Sequence, residues 1–207
     1  MTVLKILTYG NEVLRTPSKE VHKVSVKIQK IVDDLFDTMY SYDNGIGLAA
    51  PQIGYNYRIF VLDLAKDGEP PNPAVFINPK IIKKWGALSS FEGCLSFPDV
   101  YTYVRRYENI IVKAQNLKGR SFTLEAKNGS LLSRAIQHEY DHLEGILFVD
   151  HARSRFETDK LLAEKGLPQI NSDYLMEEEE LEKEILEKGS NSIQNEDNIP
   201  RDTPNCC

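Results

Sequence analysis

Across residues 25–42 apolar side chains recur every three or four positions, at Ile28, Ile31, Val32, Leu35 and Met39, a spacing that predicts an amphipathic helix opening at Ser25. The same period returns in Leu131, Leu132, Ala135, Ile136 and Leu143. Here the turn-forming Asn128-Gly129-Ser130 supplies a cap before the helix, and Gly145 suits its C-terminal stop. Between the two helices, residues 58–64, 74–82, 109–114 and 122–126 are rich in Val, Ile and Phe and are bounded by Gly, Pro, Asn and Asp, the pattern of strands. Residues 146–149 predict one more short strand. The pattern as a whole predicts an α+β fold, a mixed or antiparallel sheet packed around the second helix, in one domain over residues 1–170. Trp85 and most Tyr and Phe residues lie in or beside the strand runs, so packing accounts for them.

Beyond Pro168 the pattern changes. Residues 177–188 are Glu-rich with helical spacing, and Leu181, Ile185 and Leu186 form a narrow apolar stripe. Residues 189–207 are polar and lose all periodicity. The segment 171–207 is therefore read as an acidic helix and flexible tail. It carries 11 of the 31 acidic side chains but only 3 of the 25 basic ones, so the net charge of −6 belongs to the tail and the body is near neutral. Acidity placed in the tail says little about what the body binds, and no direct nucleic-acid site is predicted.

With 207 residues, 41% of them hydrophobic, the chain is long enough for one packed core. It shows no basic segment followed by an apolar core at its start, and no run approaching the ~20 apolar residues of a membrane span. Three cysteines, Cys94, Cys206 and Cys207, are too few for a disulfide framework. The expectation is a cytoplasmic protein without membrane attachment.

Chemistry concentrates in Gln137-His138-Glu139-Tyr140-Asp141-His142-Leu143 on the second helix. Histidines four apart share a face and can bind one divalent metal. Glu139 between them can take a proton from a metal-activated water without being a ligand, which points to a hydrolase. Two histidines leave a catalytic metal one protein ligand short. Cys94 is one source of the third; taken alone, it reads as a small buried hydrophobe. The loop Gly45-Ile46-Gly47-Leu48-Ala49-Ala50-Pro51-Gln52 taken alone reads as a helix-ending turn, and it lacks the Gly-Lys-Ser/Thr of a phosphate cradle. His22 is assigned no role, and His151 is read as a surface residue rather than a ligand.

The glycine loop 45–52, Glu92-Gly93-Cys94-Leu95-Ser96 and the histidine motif together resemble, in order and spacing, the three signature motifs of the peptide deformylases, over roughly residues 4–165. The resemblance implies a metal-dependent hydrolase that removes the formyl group from N-formyl-methionyl nascent peptides. It implies that Cys94, His138 and His142 hold one divalent ion, Fe²⁺ by family preference, with Zn²⁺, Ni²⁺ or Co²⁺ accepted by the same donors. It assigns Glu139 the proton transfer, and the Gln52 amide and Leu95 backbone N–H the developing oxyanion. Ile46, Gly47 and Gly93 would meet the peptide, while Leu131 and Ala135 would line the methionine slot, with the charged Arg134 at its rim. Glu92 and Arg106 would lie together behind the metal loop. The acidic tail and Cys206-Cys207 fall outside the family pattern; the ribosome is a compatible partner.

Two other readings compete. A metallopeptidase of the His-Glu-x-x-His kind would draw its third ligand from downstream, such as Glu157 or Glu164. A structural metal module would close the site with a fourth protein ligand, for which no further Cys or His is well placed.

Overall fold

The computed structural model describes residues 2–65 and 69–170. The acidic segment with Leu181, Ile185 and Leu186, the polar end of the chain and the 170/171 boundary's far side lie outside the described residues. One five-stranded antiparallel sheet runs in the order β1 (Gly47–Ala49), β2 (Ile59–Leu62), β3 (Ala74–Cys94), β4 (Phe97–Gln115), β5 (Ser121–Ala126). Helix α1 (Val26–Met39) packs on one side of β1 and β2, and α2 (Leu131–Glu144) on the other. The residues of β2 show why. Ile59 and Val61 join the α1 core, whereas Phe60 and Leu62 join the α2 core. A strand covered on both faces has no solvated side, so its sequence is continuously apolar rather than alternating.

The capping signals act as the sequence predicts at α2. The Ser130 hydroxyl accepts a bond from the Ser133 N–H at 3.3 Å, and Gly145 closes the helix in the left-handed conformation at φ 73°. At α1, Ser25 occupies the cap position without a side-chain bond to the helix.

Two expectations are corrected. The runs expected at 74–82 and 109–114 are parts of much longer strands, which form a hairpin turning at Leu95-Ser96. The apolar signal fails along this hairpin because one face is largely wet and Ser89, Ser90, Arg105, Arg106 and Glu108 interrupt the alternation. Residues 146–149 are not a strand: Phe148–His151 forms a 3-10 turn. Asp150 accounts for it, since its backbone N–H donates to the Leu147 carbonyl and its carboxylate accepts the Leu147 N–H, both at 2.8 Å. An unanticipated helix α3 (Arg155–Glu164) follows.

Residues 2–18 run as a strap across the molecule. Thr2 and Leu4 bond to Asp37 and Thr38 of α1, Leu7 to Gln52, and Tyr9 to Ser96 and Gln169. Arg15 pairs with Asp150, and Ser18 bonds to Leu143. The strap thereby covers the end of α2. A Cβ on Gly145 would lie 2.5 Å from the Arg15 carbonyl oxygen. Among the described residues, no helix is long and apolar enough to cross a membrane.

Candidate active site

Cys94 ends β3, where the hairpin turns, and His138 and His142 project from one face of α2 toward it. Their ligand atoms lie within 4.8 Å of one another, with Cys94 Sγ 3.3 Å from His142 Nε2. All three residues are buried, at 1%, 2% and 1% exposure. Two tests support a metal at this point. His138 gives its Nδ1–H to Glu92 at 3.1 Å, which leaves Nε2 as a buried nitrogen without a partner. Burial, and then the neighbouring His138, push the His142 pKa well below that of an ordinary imidazole, so the ring stays neutral with a lone pair to donate. Cysteine and neutral imidazole are donors suited to a borderline divalent ion.

Glu139 is fully buried, and neither carboxylate oxygen has a hydrogen-bond partner. Burial raises its pKa well above the carboxylate range, against the lowering effect of Arg106. The carboxylate lies directly against the glycine loop: a Cβ on Gly47 would be 2.6 Å from Glu139 Oε1 and 2.8 Å from Leu62 Cδ2. Gly47 is thus required by close approach. An unpaired buried carboxyl is costly to the fold.

The Gln52 amide is oriented from both ends. Its oxygen accepts the Ala49 N–H at 2.8 Å, so its NH₂ faces Cys94 Sγ at 3.5 Å and Ser96 Oγ at 3.3 Å. Leu95 follows Cys94 at the turn. Gly93 lies in β3, Ile46 is half-buried beside the α2 core, Leu131 opens α2 half-exposed, and Ala135 is completely enclosed in that core. Arg134, at the expected rim, donates to Ser90 Oγ at 3.1 Å.

Behind the ligands sits a buried charge network. Arg106 holds both oxygens of Glu92, at 3.0 and 2.8 Å, and also donates to Asp141. Burial alone would raise the Glu92 pKa; the Arg106 charge and the His138 bond outweigh it and hold the carboxyl well below the usual range. Asp141 is likewise lowered, by His151 and Arg106 against burial. His151 is therefore no surface residue. Its Nε2 is 3.0 Å from Asp141 Oδ2 and its side chain is 14% exposed, although it contributes nothing to the ligand cluster. Sequence reasoning also missed Ser96 and Asp141. Asp141 carried a signal, since it lies one helical turn from His138; Ser96 and His151 carried none.

The metallopeptidase alternative is contradicted by placement. Glu157 and Glu164 are exposed on α3, and among the described residues the groups that could hold a metal reduce to Cys94, His138 and His142.

Residues 3–157 match the family Polypeptide deformylase. The chain is 45% identical over 150 residues to "Peptide deformylase" of Dictyoglomus turgidum, covering 72% of this chain and 93% of that protein. It is 42% identical over 166 residues to "Peptide deformylase 1" of Bacillus subtilis, covering 80% of this chain and all of that protein. Among solved structures, a peptide deformylase from Synechococcus elongatus in complex with actinonin is similar at a TM-score of 0.74 and 42% identity, over 80% of this chain and 87% of that one. With a sheet and helices arranged as in these structures, and a family match over most of its length, the chain belongs to the polypeptide deformylase family, the enzymes that remove the N-formyl group from nascent peptides.

Proposed function

We propose that deformylation in this chain is carried by Cys94, His138 and His142 as holders of one divalent ion, by Glu139 as the proton-transfer group, and by the Gln52 amide and Leu95 N–H as donors to the developing oxyanion. The observation that carries this reading is the Glu139 carboxyl: it is buried, unpartnered and carried on α2 between two of the three residues whose ligand atoms converge. Fe²⁺ is the native ion on family grounds, and Zn²⁺, Ni²⁺ and Co²⁺ are accepted by the same donors. A divalent ion held there supplies Lewis acidity for the formyl oxygen and an acidified water as nucleophile. Glu139 would take a proton from the attacking water and hand it to the leaving amine, one carboxyl serving first as base and then as acid. Gln52 is fixed by Ala49 so that its NH₂ meets negative charge as it develops, without reorganisation.

The substrate is an N-formyl-methionyl nascent peptide laid as an extra strand between Ile46-Gly47 and Gly93, with its methionine side chain toward Leu131 and Ala135. The enzyme works in the cytoplasm, in reach of the ribosome, with residues 1–170 as the catalytic unit and 171–207 as an appendage. The test is formate release from a formyl-Met tripeptide, measured beside peptide-bond cleavage of the same substrate. Formate without cleavage supports the reading, and cleavage without formate overturns it. Cys94→Asp should change metal affinity and rate together.

A further inference from the structure

Phe91 and Tyr103 are exposed at 41% and 55%, large values for aromatic rings, and they lie opposite each other across the β3–β4 hairpin with ring centroids 5.0 Å apart. Tyr101, the cross-strand partner of Gly93, adds a third ring 6.1 Å from Phe91. Together they make a contiguous aromatic pad that the fold itself does not bury.

The pad adjoins the strand edge that leads away from the metal ligands. Beyond Ile77, β3 pairs only with β4; among the described residues no strand occupies its other edge along 80–94. Because Cys94 is the last residue of β3, a peptide with its formyl group at the ligand cluster runs back along this edge, antiparallel to β3. Ser90 and Glu92 point toward α2, where they contact Arg134 and His138. Phe91 and Gly93 therefore face the other way. If methionine lies opposite Cys94 with its side chain toward α2, the second residue lies opposite Gly93 and the fourth opposite Phe91, both on the pad's side. Directly opposed side chains are about 5 Å apart, and diagonal ones remain in reach of aromatic rings. Gly93 has no side chain of its own, which leaves the second residue facing Tyr101.

The geometry points to the Phe91–Tyr101–Tyr103 pad as a specificity subsite that favours large apolar or aromatic side chains at the fourth residue of the formylated peptide, and secondarily at the second. This inference rests on the deformylase reading above. The occupant is the substrate's own downstream chain, because the pad continues the edge along which that chain must pass.

The experiment uses the full-length, metal-loaded enzyme with formyl-Met-Ala-Ser-Phe, formyl-Met-Ala-Ser-Ala and formyl-Met-Ala-Phe-Ala, read as formate release. The Phe-at-four peptide is expected to exceed the Ala-at-four peptide in kcat/KM by about fivefold, the scale of one aromatic contact, with the difference in KM. Phe at position three, which faces α2, should not reproduce it through the pad. Phe91→Ser should bring the four-position ratio close to one, and Phe91→Tyr should restore it. Equal rates for Phe and Ala at position four in the parent enzyme, or a preference that survives Phe91→Ser in a variant of unchanged thermal midpoint, would overturn the subsite. Formate from none of the peptides would instead sink the deformylase reading on which it rests.

Discussion

Replacing Gly47 with alanine is expected to lower turnover steeply while leaving the metal in place. The added Cβ would lie 2.6 Å from Glu139 Oε1, where ordinary contact begins at 3.4 Å, so the carboxylate must retreat by roughly 0.8 Å or the loop must shift. The second neighbour, Leu62 Cδ2 at 2.8 Å, closes the alternative route for the loop. Leu62 is 1% exposed and packs in the α2 core, so the strain falls largely on the unbonded carboxyl. A displacement near 1 Å in a reacting group is worth about 10²-fold in rate, and overpacking costs about 1–3 kcal/mol of stability. The assay is kcat for formate release on a formyl-Met tripeptide, with metal content by elemental analysis and the thermal midpoint as controls. If Gly47 served only as a main-chain partner of the peptide, the change would appear in KM instead. A variant with parental kcat, full metal and parental KM would refute the argument that Glu139 is positioned by its contact with Gly47.

Glu139→Gln should retain metal but lose at least about 10²-fold in kcat, the typical worth of positioned acid–base catalysis. Burial raises the folded-state pKa of Glu139, so its contribution to stability is fully present below the unfolded carboxyl's pKa and is lost as pH rises through the folded one. Metal-stripped Glu139→Gln should accordingly gain in thermal midpoint over the metal-stripped parent as pH rises, with the gain vanishing near about pH 4. Arg106→Ala leaves the buried Glu92 and Asp141 with only His138 and His151 beside them and should cost about 3–5 kcal/mol by denaturant titration, together with weaker metal retention on dialysis. Truncation after Ile170 keeps the residue whose carbonyl accepts from Arg155 and whose N–H donates to Asp159, so kcat on a short formylated peptide should be preserved; its loss would place the tail within the catalytic fold.

How much of this was readable in advance follows from how each feature is encoded. Helices α1 and α2 carry their apolar faces locally, so the two histidines of the metal-capable cluster were legible from their spacing, whereas Cys94 entered it only through the resemblance. The long hairpin was not, because its wet face erases the alternation and its pairing is a long-range property. The 3-10 turn at Phe148–His151 was hidden by an apolar run that reads equally well as a strand, and only the Asp150 carboxylate distinguishes them. His151 had no local sign at all, since its partner Asp141 is brought to it by the fold of the segment after α2. The support behind the ligands was partly legible: Glu92 and Arg106 followed from the resemblance, whereas Ser96 emerges only where the strap and the hairpin turn meet Gln52.

The strap at residues 2–18 has a consequence for the order of folding. Its partners all come later in the chain, the farthest being Gln169, 160 residues beyond Tyr9, and Asp150, 135 beyond Arg15. The contacts of Tyr9 and Arg15 therefore close late, because a contact of such separation cannot form until the chain that makes it exists. Until then the middle of the strap lacks the partners that hold it across the end of α2 in the finished fold.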